Sequence, residues 1–431
     1  MKHTWTVIAV LALLYSCTQL EESQDYPGIF PDYVGVTVPE GIAPLHFSMK
    51  DGGRCKVSLT RSGDTTWYSV RSKGIRYKAF PVYTSHDAID PYIAYRLIEP
   101  GYESWHDLSI CQRELGSFRE KILVSNQVNN RGCINCHCFP GGDPSRMLFH
   151  ARGKGGGTVI IDDGSVRLLN IASVGPGKQG TYPAWHPDGR YVAFSSNTTQ
   201  QSFASDGRQP IEVYDTASDM IVLDLQTDSV ITAPCLMGES ELETFPCWSE
   251  DGRTLFYCSA EKTGTNPRHL HYRLMAIDFE NGAFVGEPRM VWEDLESSAS
   301  FPRVRNGKLL FTRSAYGTFP IWHSEADLWM MDLSDGSLRA VDELNSPDTE
   351  SYHSWSTNGS WVVFSSRRDD GRYTRLYIAH YDKAAGTFDK PFMLPQRKAS
   401  HNSLRLKSYN IPEFVCGPVQ DRQKEISKLF D

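Results

Sequence analysis

After Cys17 the sequence lacks any apolar run approaching the roughly 20 residues that a membrane-spanning helix needs. It also lacks a basic run: 44 Lys and Arg stand against 52 Asp and Glu, for a formal net charge of −8. A nucleic-acid partner is therefore excluded on electrostatic grounds. No G-x-S-x-G elbow sits in an α/β setting, which excludes a serine hydrolase of that design. No pair of carboxylates stands out for general acid–base work. What remains is a chain of 431 residues, 40% hydrophobic and 12% aromatic, with 34 Gly and 24 Pro. That is enough apolar material for a large core and enough turn formers to break it into short strands.

The one apolar run lies at the start. In "MKHTWTVIAVLALLYSC", Lys2 precedes a short apolar stretch that ends at Ser16 and Cys17. The length fits a secretory signal and not an anchor helix. The ending resembles a bacterial lipobox, which implies a signal over 1–16, lipid on Cys17 and a place in the cell envelope, outside the cytoplasm and tied to a membrane. Residues 17–44 are polar, then Pro-bearing, and read as a tether.

The chain then repeats itself. "TYPAWHPDGRYVAFSSN", "TFPCWSEDGRTLFYCSA", "SFPRVRNGKLLFTRS" and "SYHSWSTNGSWVVFSSR" begin at 181, 244, 300 and 351. The turn pairs Asp188-Gly189, Asp251-Gly252, Asn306-Gly307 and Asn358-Gly359 tolerate the positive φ of tight hairpins. After each hairpin come a strand ending in Asp, a turn and another strand. Units of this length with four strands predict an all-β propeller with four-stranded blades. Trp185, Trp248 and Trp355 are expected between neighbouring blades as core. The repeats resemble those of TolB-like, or PD40, β-propellers over roughly 155–385. Residues 45–126 are read as two divergent N-terminal blades, 155–415 as the repeats and 416–431 as a tail, with "SYNIPEFVCGPV" able to add a closing strand. Six blades are expected, with seven as the alternative.

Between these regions, 127–154 holds "RGCINCHCFPGGDPSRMLFHARG". Cys133, Cys136 and His137 form C-x-x-C-H, the spacing that sets two thiols at the vinyl groups of a haem and a histidine beneath the iron. A single covalent haem c is expected here, in a loop insertion of the propeller. Met147 is the expected sixth ligand and His150 the alternative. In a strand the two point to opposite faces, and Met147 would bring Phe149 to the porphyrin. A redox disulfide is the first competing reading, although no βαβ pattern surrounds the cysteines. Zinc is the second, although residues 136, 137 and 138 cannot readily all face one ion. Ten cysteines are present. Setting aside Cys17, Cys133 and Cys136 leaves an odd number, so complete internal pairing is impossible.

The segment "CINCH…MLFHARG…GGT" and the run "YRLIEPGYESW" are similar to exported propeller lipoproteins of Bacteroidetes-type bacteria that carry one C-x-x-C-H. That resemblance implies architecture more than activity. The first functional expectation is a lipid-anchored propeller with one haem, serving electron transfer to an unknown redox partner or haem-dependent sensing. The second is a haem-free scaffold for a protein or glycan. The third is a metal-dependent lyase using His186, His323 and His353. The reading favours a non-enzyme.

Overall fold

The computed structural model describes residues 20–99, 107–153, 155–177, 179–203, 209–262, 264 and 266–431. The expected signal and Cys17 lie outside the described residues. Six sheets of four or five strands form the blades of a propeller. Blade 2 comprises Ile134–Cys138, Met147–Ala151, Gly157–Asp162 and Ser165–Leu169, from the axis outward. Blade 3 begins at Thr181–Trp185, blade 4 at Glu241–Trp248, blade 5 at Ser298–Arg305 and blade 6 at Glu350–Trp355. Blade 1 is assembled from both ends of the chain. Its three outer strands are Tyr92–Ile98, Ser109–Glu114 and Glu120–Ser125, and its innermost strand is Ser408–Val415, near the C-terminus.

The second strand of each repeat blade is apolar on both faces, as in Val192-Ala193-Phe194, Leu309-Leu310-Phe311 and Trp361-Val362-Val363-Phe364. Such a strand is buried on both sides, here by the two neighbouring blades. The tryptophans close the gaps. The indole of Trp185 donates to the Cys138 carbonyl of blade 2 at 3.3 Å. Trp248 donates to the Ala184 carbonyl of blade 3 at 3.0 Å. Trp355 is partly buried against Tyr381 and Phe388. The strand-ending acids shape the turns after them: Asp224, Asp332 and Asp382 accept from the backbone of Gln226, Ser334 and Ala384, at 2.9 Å each. Of the four expected hairpin turns, only Asn306-Gly307 joins directly paired strands (Arg305 with Lys308), with both residues at positive φ. The other three are longer and place only the glycine there.

Two boundaries differ from the expectation. Of the divergent segments, 92–125 forms a blade. Strands Cys55–Ser62, Thr65–Ser72 and Phe80–Ser85 instead form a separate sheet with Thr37–Pro39. Val70, Phe80 and Val82 of that sheet share a core with Ile93 and Tyr95 of blade 1 and Trp361 and Ile378 of blade 6. The sheet thus covers the seam where the ring closes. The C-x-x-C-H segment, expected as a loop, supplies the innermost strand of blade 2. The blade number is six because this gain offsets that loss. Among the described residues no helix is long and apolar enough to cross a membrane.

Candidate functional site

Each innermost strand carries one shift of register against its neighbour, and each shift contains one non-glycine residue at positive φ. These are Cys136 (54°), Tyr182 (49°), Phe245 (53°), Phe301 (53°), Tyr352 (49°) and Ile411 (53°). A β-branched or aromatic side chain is unfavourable in the left-handed region, and packing must hold it there. The bulge re-aims the side chain. Four of the six bulge residues are followed by Pro183, Pro246, Pro302 and Pro412, which have no N–H to leave unpaired. In the other two blades the following residue is His137 or His353.

The bulge side chains meet on the propeller axis. Ring centroids are 4.4 Å apart for Tyr182–Phe245, 4.1 Å for Phe245–Phe301 and 4.9 Å for Phe301–Tyr352. The space left among them is about 30 Å³. The axial channel is therefore plugged at mid-height and becomes two blind mouths. One mouth, about 450 Å³, is edged by the first turns of the blades, including His186, Asp188, Glu250 and Arg305. The other is about 120 Å³ and is edged by residues following the second strands. Arg96, Arg152, Arg367 and Arg372 line it, with Tyr182, Tyr352 and Trp322 as apolar walls.

The expected site residues divide between these places. Cys133 and Cys136 both line the arginine-bearing mouth. Cys136 is buried, which raises its thiol pKa. His137 does not line that mouth. Its ring turns into the interface with blade 1, fully enclosed, and neither nitrogen finds a hydrogen-bond partner of good geometry. Burial, then the charge of Arg96, depresses its pKa to about 3, so it is neutral. The backbone of Ala94 and Ile411 faces it. His353 occupies the same position in blade 6. Its Nε2 lies 3.0 Å from the Leu310 carbonyl, on the corresponding strand of the preceding blade. Burial holds it also near 3.

Met147 and Phe149 face blade 1 in one apolar cluster with Phe139 and Ile110. His150 lies on the opposite face, where its Nε2 is 3.2 Å from Gln179 Oε1. Burial depresses its pKa to about 4. Axial ligands approach an iron from opposite faces of the porphyrin, whereas His137 and Met147 leave one sheet in one direction, into a packed interface. A space of about 120 Å³ is of the size that admits a benzene-like molecule. A tetrapyrrole has four such rings. In this arrangement the two thiols are presented to a cavity, but the residues do not fit a haem.

The zinc and lyase expectations fare as follows. Cys138 lines the opposite mouth from Cys133. His186 lies at that same mouth, with Nε2 2.9 Å from the Gly252 carbonyl. His323 is buried between Glu212 and Glu325, at 3.1 Å from each. His353 faces Leu310. The three histidines do not converge. Among the described residues no group of three or more His, Cys, Asp or Glu is placed to hold a metal ion. All nine described cysteines are free thiols. The four mouth arginines were not legible in the sequence. They share no spacing in the sequence, and only their position after the second strands of blades 2 and 6, the two neighbours of blade 1, unites Arg152 and Arg367.

No family model matches the sequence, and no curated protein matches it. Among solved structures the chain is similar to TolB from Acinetobacter baumannii, with 15% identity, a TM-score of 0.47, and 84% of this chain and 83% of that chain covered. It is similar to a TolB structure from Agrobacterium tumefaciens at 14% identity and a TM-score of 0.43, covering 71% and 92%. An oligogalacturonate lyase in complex with manganese matches at 13% identity and a TM-score of 0.40, covering 78% and 73%. The propeller assignment stands on the strand order described above.

Proposed function

We propose that this protein is a binding scaffold of the cell envelope, lipid-anchored through Cys17, which receives a ligand into the arginine-lined mouth of its propeller. The observation that carries the reading is the axial plug. It turns a channel into a blind pocket whose floor is Tyr182, Tyr352 and Ile411 and whose rim is supplied by several blades. A preformed concave site of mixed apolar and polar lining is the usual form of a small-ligand site. The partner is a small molecule or the exposed end group of a glycan or protein. Thr199 lines the same mouth and is partly exposed, so Thr199→Trp fills it without touching the plug. Protein purified from its native envelope is expected to release a bound compound on denaturation, detectable by mass spectrometry. The Thr199→Trp variant is expected to release none. Equal release from both would end the scaffold reading at this mouth. For the anchor, Cys17→Ala is expected to leave the membrane fraction. A variant that partitions like wild type removes the anchor from the proposal.

The covalent haem is the second reading, favoured by the C-x-x-C-H spacing and by the two thiols that share one cavity. It requires His137 to leave the blade interface. Electron transfer or haem-dependent sensing would follow only from that rearrangement.

A further inference from the structure

The geometry points to a small organic anion as the ligand of this mouth, a molecule with a carboxylate or phosphate group held by Arg96, Arg152 and Arg367. The inference rests on the scaffold reading and names the chemistry of its ligand.

Arg96 is 9% exposed and Arg367 4%. The Nε atoms of Arg96, Arg152 and Arg367 are enclosed and make no hydrogen bond among the described residues. Neither Arg96 nor Arg152 has a side-chain ion pair among them. Arg367 is pinned: it donates from its Nη atoms to the carbonyls of Ile321 and Gly371 and lies over the Trp322 ring at 4.3 Å. Its nearest carboxylate, Asp348, is 3.9 Å from Nε, beyond hydrogen-bond reach. Glu99 is the single carboxylate of the lining, set against four guanidinium groups, and pairs with none of them. Burying a guanidinium without a counter-charge is costly, and a protein retains such a group where a partner is supplied.

The three arginines come from blades 1, 2 and 6, which are neighbours around the ring, so their charges form one arc. A guanidinium is a rigid fork that matches carboxylate and phosphate oxygens. Beneath the arc, as the floor of the mouth, stand Tyr182, Tyr352 and Ile411, which suit the apolar or ring-shaped body of an organic anion better than a bare inorganic ion. The amide oxygen of Asn135, also enclosed and unpartnered at this mouth, offers an acceptor for a ligand hydroxyl.

The test uses the full chain, with inorganic phosphate and citrate as probes and chloride at equal ionic strength as the reference. Calorimetric titration and thermal unfolding are read together. Either probe is expected to raise the melting temperature above the chloride value. Arg96→Gln is expected to weaken binding by about tenfold or more, while raising the anion-free melting temperature because an unpaired buried charge is removed. Arg152→Gln, on a less buried side chain, gives the same reading if Arg96→Gln does not fold. Arg289→Gln, on the outermost strand of blade 4, is expected to change neither quantity. Failure of both probes to bind, or unchanged affinity in both mouth variants, overturns the anion. If Arg96→Gln still retains the native compound that Thr199→Trp loses, the ligand is uncharged: the anion inference falls and the scaffold reading stands. If Thr199→Trp also retains it, both fall.

Discussion

His137 has two descriptions that predict different chemistry. As part of C-x-x-C-H it is an iron ligand. As part of the propeller repeat it stands where four blades place proline and blade 6 places His353. The register supports the second description, because Asn135-Cys136-His137-Cys138 corresponds residue by residue to Ser351-Tyr352-His353-Ser354. His137→Pro separates the two. The preceding residue already has the positive φ that Tyr182 shows before Pro183, so the substitution is expected to change stability by no more than about 1 kcal/mol. If the residue ligates iron, protein from a haem-attaching host will carry haem, and His137→Pro will shift the Soret band of the native, folded protein. If it is a blade residue, wild type and variant will show the same spectrum, with or without haem. The correspondence was hidden in the sequence because Cys136 and His137 lack both the aromatic residue and the proline, at least one of which marks each other innermost strand.

At the level of elements, legibility followed the repeat chemistry. The blades beginning at 181, 241, 298 and 350 were visible because an aromatic residue and a glycine turn recur in each, with a proline in three and a tryptophan in three. The closing strand Ser408–Val415 was visible in "SYNIPEFV", where Ile411-Pro412 keeps the pattern. The strands Thr65–Ser72 and Tyr92–Ile98 look alike in isolation, each alternating between turns. What separates them is their partners: Tyr92–Ile98 pairs with a strand more than 300 residues away, and Thr65–Ser72 with its immediate neighbours. Alternation encodes a face to bury and does not encode which sheet buries it. The arginine mouth was illegible for the same reason, since its members meet only after the ring closes.

For the molecule as a whole, several buried groups bind protons differently in the folded and unfolded states. Burial raises Asp215 and Glu413 to about 7 and Glu243 to about 8. His323 is opposed by burial, yet its bonds to Glu212 and Glu325 hold it at about 9. All four keep protons that the unfolded chain has released, so their contribution to stability is lost as pH rises through these values. His137, His150 and His353 act in reverse, and their contribution is lost as pH falls from about 6.5 toward 3–4. Between pH 4 and 6.5 the two sets oppose each other; above 6.5 only the first acts. Stability is therefore expected to fall between pH 6.5 and 9 by on the order of 6 kcal/mol, measured as a denaturation midpoint. His323→Gln with Asp215→Asn should flatten the slope, and a rising wild-type profile would contradict the assignment. The mixed parentage of blade 1 carries a consequence of another kind. A chain is delivered in order, first residue to last, and Tyr92–Ile98 must wait through some 310 residues for its inner neighbour. Until Ser408–Val415 emerges, the seam is open and the sheet at Thr65–Ser72 covers an unfinished joint. No shortened version of this chain is a smaller propeller; a product that stops early is an open ring with one raw edge, and whatever machinery handles it meets a substrate for degradation and not a domain.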